Sequence, residues 1–282
     1  MVERGELKHN FLKRIYFRVD YVGLLDQDVE LIVSNLRESI YKDGFNNLKD
    51  FYDNQVNVEF NVDISSNSVN TSHNSPERIH TYEFYNEKNE SLLLSKNYFS
   101  LNVMVNEAKY SFDKYINILV RLITNYDKIS KYSKPIRIGL QKTNVCYLID
   151  LMKIQDYFSN AAFNVSDLLE QNDGYSCRNC NLSTELRNNS TNILYNRNIQ
   201  EGQMNGSDGE LFTSYQVILE CIVYNENTNE IQKFSDEDGE CERFVRELNE
   251  LEFGVYIKSL TDGFIKKLTE TEFIDNNIEG VV

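Results

Sequence analysis

Polar and apolar residues alternate strictly through "RIYFRVDY": Ile15, Phe17, Val19 and Tyr21 form one row, and Arg14, Tyr16, Arg18 and Asp20 the other. A period of two predicts a half-buried strand. The next stretch, "DQDVELIVSNLRESIYKDG", changes to a helical period, with Val29, Ile32, Val33, Leu36 and Ile40 on one stripe. Asp26 or Asp28 suits its start and Gly44 its end. Alternation returns in "QVNVEFNVDI", where Val56, Val58, Phe60, Val62 and Ile64 oppose Asn57, Glu59, Asn61 and Asp63. The polar run "SSNSVNTSHNSPER" predicts an exposed hairpin loop or insertion. Strands near 79–86, 90–95 and 98–105 follow, joined by short polar links that suit antiparallel hairpins.

A helix near 111–129 carries Phe112, Tyr115, Ile116, Leu119, Leu122, Ile123 and Tyr126 on a broad apolar face. "PIRIGLQKTNVCYL" then reads as a strand. Ile136, Ile138 and Leu140 point one way, and Arg137, Gly139 and Gln141 the other. A short helical stretch from Leu151 to Phe158 and strands near 175–186 and 190–198 come next, and "NIQEGQMNGSDGE" predicts a loop. "SYQVILECIVY" is apolar in both rows, as in a central strand. Near the end, Phe244, Leu248, Leu251 and Val255 make one helical stripe, and Phe253, Ile257, Leu260, Phe264 and Leu268 a second. The changeover at Gly254 predicts one long bent helix, or two in tandem, packed across a sheet.

In order, the elements run β-α-β-β-β-β-α and then β-α-β-β-β-α. This predicts an α+β fold in which antiparallel sheets are backed by helices. It also suggests two pseudo-repeated halves, residues 1–130 and 131–282, within one compact unit. A chain of 282 residues buries roughly three quarters of its unfolded surface, so a substantial core is available.

Charge changes the picture more than composition does. The net charge is −15, which repels phosphate backbones and anionic lipid at long range. Lys8, Lys13, Arg14 and Arg18 form one modest basic cluster, read as a wet strand face. No run approaches the roughly 18 apolar residues of a membrane span, and the first residues carry no signal-peptide core. The expectation is a cytoplasmic protein with no membrane association. Five cysteines in such a chain predict reduced thiols.

Few residues carry recognisable chemistry. Cys177 and Cys180 in "SCRNC" have metal-knuckle spacing, but two further ligands are needed and the three histidines lie far upstream. Incidental thiols are the plainer reading, with a metal at this pair as the weak alternative. His80 alternates with Tyr82 and Phe84, as a packed strand histidine does. "SDEDGE" has the wrong spacing for a calcium loop and suits a helix start. Walker, dinucleotide-binding, nucleophile-elbow and H-E-x-x-H patterns are all missing. No cofactor and no catalytic residue is assigned. Arg137 stands beside Gly139, whose bare face admits a ligand or a close backbone.

Three stretches, "YSFDKYINILVRLI", "PIRIGLQKTN" and "FGVYIKSLTDGFIKKL", together resemble a sporadically distributed family of bacterial proteins with no known activity. The family strand reads roughly Arg-Ile-Gly-Leu-Arg-Tyr-Ile-Asn. Arg137, Ile138, Gly139, Leu140 and Asn144 match it, while Gln141, Lys142 and Thr143 depart. In the closing helix Phe253, Leu260, Thr261 and Asp262 match. The resemblance spans about residues 80–270 and brings no reaction with it. Patchy distribution implies mobile genes, often beside defence or toxin–antitoxin modules.

These observations favour a non-enzymatic binding or regulatory protein: a sensor, adaptor or neutralising partner that works through a protein partner or a small ligand. Arg137, Asn144, Arg14 and Arg18 are its contact nominees. Carboxylates and tyrosines are plentiful enough to converge without a local motif, so catalysis stays open. One alternative is RNA binding or processing in a groove formed by Arg14, Arg18, Arg137 and Lys142. Another is an acidic mimic of nucleic acid, with its negative charge gathered on one face.

Overall fold

The computed structural model of the chain describes residues 2–55, 58–63, 68–73, 77–105, 111–129, 131–164, 178–187, 190–205, 210–236 and 239–282, with the backbone alone for the described parts of 53–77 and 233–236. The strands are β1 (Leu12–Val22), β2 (Asn47–Gln55), β3 (Val58–Asp63), β4 (Ser68–His73), β5 (Glu77–Tyr85), β6 (Glu90–Ser95), β7 (Tyr98–Met104), β8 (Lys134–Leu148), β9 (Asn179–Arg187), β10 (Thr191–Asn205), β11 (Leu211–Asn225) and β12 (Ile278–Glu279). The helices are α1 (Asp26–Lys42), α2 (Asp113–Ile129), α3 (Ile154–Tyr157), α4 (Thr228–Asp236), α5 (Glu240–Lys258) and α6 (Asp262–Thr269).

Ten strands form one antiparallel sheet in the order β2-β5-β6-β7-β1-β8-β11-β10-β9, with β12 paired to the end of β8. The hairpin β3–β4 stands apart as a two-stranded sheet. The architecture is α+β, an antiparallel sheet backed by helices.

The topology explains why the seam between β1 and β8 is the centre of the molecule. Each is flanked on its other side by the last strand of its own series: β7 beside β1, and β11 beside β8. The two series then run outward in reverse chain order. Phe17 lies opposite Leu140, so Arg14-Ile15-Tyr16-Phe17 and Arg137-Ile138-Gly139-Leu140 approach this pair from opposite directions in equivalent steps. An antiparallel pair has a local twofold axis, and these two short sequences obey it.

Alternation decides the two faces. Ile15, Phe17 and Val19 on β1, Ile138 and Leu140 on β8, and Leu219 and Val223 on β11 are buried together under the helices. Val29, Ile32, Leu36 and Ile40 supply the apolar stripe of α1, and Tyr115, Leu119, Leu122 and Tyr126 that of α2. Tyr126 packs 4.9 Å from the ring of Tyr21 and 5.2 Å from that of Phe99. At the other end of the seam Phe11 gathers Tyr256, Phe264 and Phe158 at 5.4–6.3 Å. A large side chain buried this completely stabilises the fold by about 1.5–3 kcal/mol.

Several expectations change. Residues 47–55, which carry no alternation, form the edge strand β2. Part of the polar run after 64 is β4, paired to β3; residues 56, 57 and 64 lie outside the described set. The expected loop from 198 is strand as far as Asn205, because β10 pairs with β11 over fifteen residue positions. A helix, α4, precedes the final long one. The helix break falls at Ser259–Thr261 and not at Gly254, because Thr261 caps α6 by accepting from the Phe264 amide at 3.2 Å.

Candidate functional site

The face of the sheet opposite the helices carries the other half of every alternation. On β1 these are Arg14, Tyr16, Arg18 and Asp20; on β8 they are Arg137, Gly139, Gln141 and Thr143. Register brings the two sets together: Arg18 stands opposite Gly139, Asp20 opposite Arg137, and Arg14 opposite Thr143. Tyr98 of β7 and Tyr224 of β11 flank them, paired with Asp20 and Gly139 respectively.

Each arginine of this seam lies against an aromatic ring and is held by a polar group. The Arg18 guanidinium sits 4.1 Å from the Tyr98 ring centre and pairs with Asp20 at 2.6 Å. Partial burial works against its charge, but the hydrogen bonds and charges of Asp20 and Tyr16 together outweigh this and raise the pKa. Arg137 lies 4.6 Å from the Tyr224 ring and 3.5 Å from Glu226. Arg14 donates to Asn102 at 2.7 Å, with the Tyr16 ring 5.6 Å away. Beyond Gly139, Gln141 and Asn196 both donate to Glu220, at 2.6 and 3.0 Å. Stacking on a ring preorganises a guanidinium while leaving its outer edge able to bind.

Gly139 has a structural reason. A Cβ there would lie 3.1 Å from the Tyr224 Cβ, so glycine lets Tyr224 close on the strand. At the end of the seam a cavity of about 520 Å³ opens between Asp20, Val22, Asn97, Ile136, Arg137 and Glu226. Arg137 is therefore shared by the Tyr224 stack and the cavity wall.

Two nominated residues lie elsewhere. Asn144 is 5% exposed and Lys142 is 2% exposed, both on the helix-covered face. Lys142 Nζ contacts Glu252 at 2.6 Å and donates to Asn249 Oδ1 at 2.7 Å. Arg4 closes over this network, donating to the Asn249 carbonyl at 2.6 Å and lying 4.3 Å from the Phe253 ring. Burial pushes the Lys142 ammonium below its ordinary pKa, and the Glu252 charge opposes that shift. Lys142 is thus removed from any surface groove.

Cys180 is half-buried in β9, and Cys177 lies outside the described residues. Among the described residues no group of three or more His, Cys, Asp or Glu side chains is placed to hold a metal ion. Cys146, Cys221 and Cys241 are buried, and burial pushes each thiol up, that of Cys241 to about 12. His80 packs between Tyr52 and Tyr82, at 4.8 and 4.5 Å, and contacts Asp50 at 3.0 Å. Among the described residues no helix is long and apolar enough to cross a membrane.

The residues that complete the seam, Tyr98, Tyr224, Glu226 and Asn97, are not signalled by local sequence. Tyr98 and Tyr224 come from strands paired through long-range register, and Asn97 and Glu226 lie just beyond the ends of such strands. The chain matches no known family model and no curated protein. The resemblance to the sporadically distributed bacterial family rests on the quoted strand and helix residues alone.

Proposed function

We propose that the chain is a binding protein that recognises a protein partner through the face of its sheet that none of the described helices covers, centred on the β1–β8 seam. The observation that carries this reading is the pair of stacks, Arg18 on Tyr98 and Arg137 on Tyr224, on either side of Gly139. Arginine and tyrosine are the side chains that most often anchor protein interfaces. They present large contact area on a stiff frame together with directional hydrogen bonds. The sheet supplies the stiffness, and the cavity beside Arg137 offers a recess for one partner side chain.

The carboxylates at the seam weigh against the nucleic-acid alternative. Asp20 and Glu226 already engage Arg18 and Arg137, and a phosphate would have to displace them against a net charge of −15. A sensor, adaptor or neutralising role, such as one in a mobile defence or toxin–antitoxin module, is the form of this function that fits the family resemblance.

The test is a paired purification of the wild-type chain and an Arg137→Ala/Tyr224→Ala variant from cells expressing its neighbouring genes. The expected result is a stoichiometric protein companion that the variant loses while keeping its thermal unfolding curve. Equal retention by both proteins would remove the seam from the interface. Retarded migration of an RNA at low salt, lost with the same variant, would move the reading to nucleic acid.

A further inference from the structure

A second surface lies at the opposite side of the sheet and depends on different residues. Between the outer hairpin β9–β10 and α5 runs a groove of about 720 Å³, with Leu186, Ile193 and Tyr195 on its sheet side and Leu251, Gly254 and Val255 on its helix side. Its lining is predominantly apolar, yet Leu186 is 53% and Leu251 44% exposed. Ligand and peptide sites are concave and mostly apolar with a few polar groups at the rim, and this groove has that character.

Gly254 makes the case sharper. It sits inside the 19-residue helix α5, where glycine is about 1 kcal/mol worse than alanine. Its φ is not among the positive ones, and a Cβ built on it would meet nothing within 4 Å. Neither backbone geometry nor packing therefore requires glycine here. What its bare face does is keep the groove wall open.

The edge of the sheet supplies the second half of the argument. Among the described residues no strand pairs with the outer side of β9. The Glu201 amide donates to the Arg178 carbonyl at 2.8 Å in register with the β9–β10 ladder. In an antiparallel ladder backbone groups alternate in direction, so those of Asn179, Asn181, Ser183, Glu185 and Arg187 point away from β10. The ladder has no bulge and the strand contains neither proline nor lysine; the charges that can blunt an edge, Glu185 and Arg187, are confined to its last three residues. Cys180, Leu182, Thr184 and Leu186 face the groove side. At one end of the helix wall Glu247 and Glu250 have side chains 58% and 65% exposed, with arginine contacts no closer than 3.6 and 3.8 Å. Lys258 lines the other end, eleven residues on, or about 16 Å at the helical rise. That length suits about five extended residues.

We infer that β9 and the groove together form a docking site for an extended segment of a protein partner. The segment adds to the sheet edge, directs alternate apolar side chains into the groove, and meets Glu247 and Glu250 with basic residues. The mode is strand addition with side-chain pockets. It stands whether or not the open face of the sheet binds anything.

The experiment selects displayed, randomised seven-residue peptides against the full chain, then measures their affinity and amide hydrogen exchange. The expected peptides carry apolar residues at every second position, with a Lys or Arg taking the groove-facing position at the end beside Glu247 and Glu250. The Gly254→Leu variant is expected to fold with an unchanged or raised Tm, because leucine is the better helix former and the space is free. It should bind these peptides at least tenfold more weakly, whereas Arg137→Ala should leave their binding unchanged. Slowed exchange should fall on the outward-facing amides of β9. Failure to select peptides, or binding indifferent to Gly254→Leu, overturns the proposal. Loss of binding in Gly254→Leu without protection of β9 also overturns it, in favour of a small apolar ligand in the groove.

Discussion

Arg137 and Lys142 are five residues apart on one strand, yet the two sides of the sheet treat their charges in opposite ways. Arg137 rests on a tyrosine, keeps a carboxylate at 3.5 Å, and has a side chain 43% exposed. Lys142 is enclosed by β8 and α5, with Glu252 and Asn249 in direct contact. Water and neighbouring charges stabilise the first whatever its partner. The second depends on two fixed groups, because taking an ammonium out of water is expensive unless its charge is matched on the spot. A charge on the open face is therefore available for exchange with a partner, while a charge on the covered face is part of how α5 is seated.

The sharpest way to break this contrast is Lys142→Ala. Removing one member of a buried pair leaves Glu252 with only the weaker contact to Arg4 at 4.0 Å, and a loss of about 3–5 kcal/mol in urea unfolding is expected. Lys142→Met combined with Glu252→Leu should recover most of that loss, since an apolar pair of similar volume needs no compensation. If the double variant were as unstable as the single one, the contribution would come from shape and not charge.

Next in size is Gly139→Val. The new side chain meets Tyr224 at its first carbon, so about 1–3 kcal/mol of overpacking is expected, with a disturbed Tyr224 environment by NMR. An unchanged Tm would mean that the strands separate freely at the seam.

An effect of similar size tests a carboxylate on the covered side. Burial alone would raise the Glu90 pKa, but hydrogen bonds from Lys114, Tyr115 and Asn86 outweigh it and hold the carboxyl below its ordinary 4.5. The group binds protons less readily in the folded state, so its stabilisation is complete above that pH and is lost as pH falls through the lower, folded value. Glu90→Gln should cost about 1–3 kcal/mol at neutral pH and flatten the decline in stability below pH 4.5. Parallel acid limbs in the two proteins would contradict this.

The smallest stability change is expected for Arg137→Ala, within about 0.5 kcal/mol by urea unfolding, although it removes a binding anchor. A loss larger than that of Gly139→Val would show that the seam is structural after all.

Where alternation or helical period is unbroken, sequence and structure agree: β1, α1 and α2 lie where their apolar rows place them, and β8 does so from Ile138 onward, while Ile136 is turned outward where the β1–β8 register shifts between Asp20 and Tyr21. The edge strand β2, "NLKDFYDNQ", is missed because an edge has little apolar surface to bury and so leaves no row to read. The same holds for the far part of β10, whose polar residues are strand only because β11 runs beside them. Parity along β8 already put Lys142 and Asn144 in the row of Ile138 and Leu140, a signal that excludes both from an open-face site. Tyr98 and Tyr224 carry no such signal. Their contact with arginines from other strands exists only once the register is set.

The meeting of β1 with β8 also has a consequence in time. Translation proceeds at about 5–20 residues per second, so β1, complete at Val22, waits roughly 6 to 25 seconds before Leu148 at the far end of its neighbour has been made. Throughout that interval the nascent chain shows the ribosome's surroundings a bare flank along its innermost strand, and once β8 covers it the exposure passes to the far side of β8 until β11 ends at Asn225.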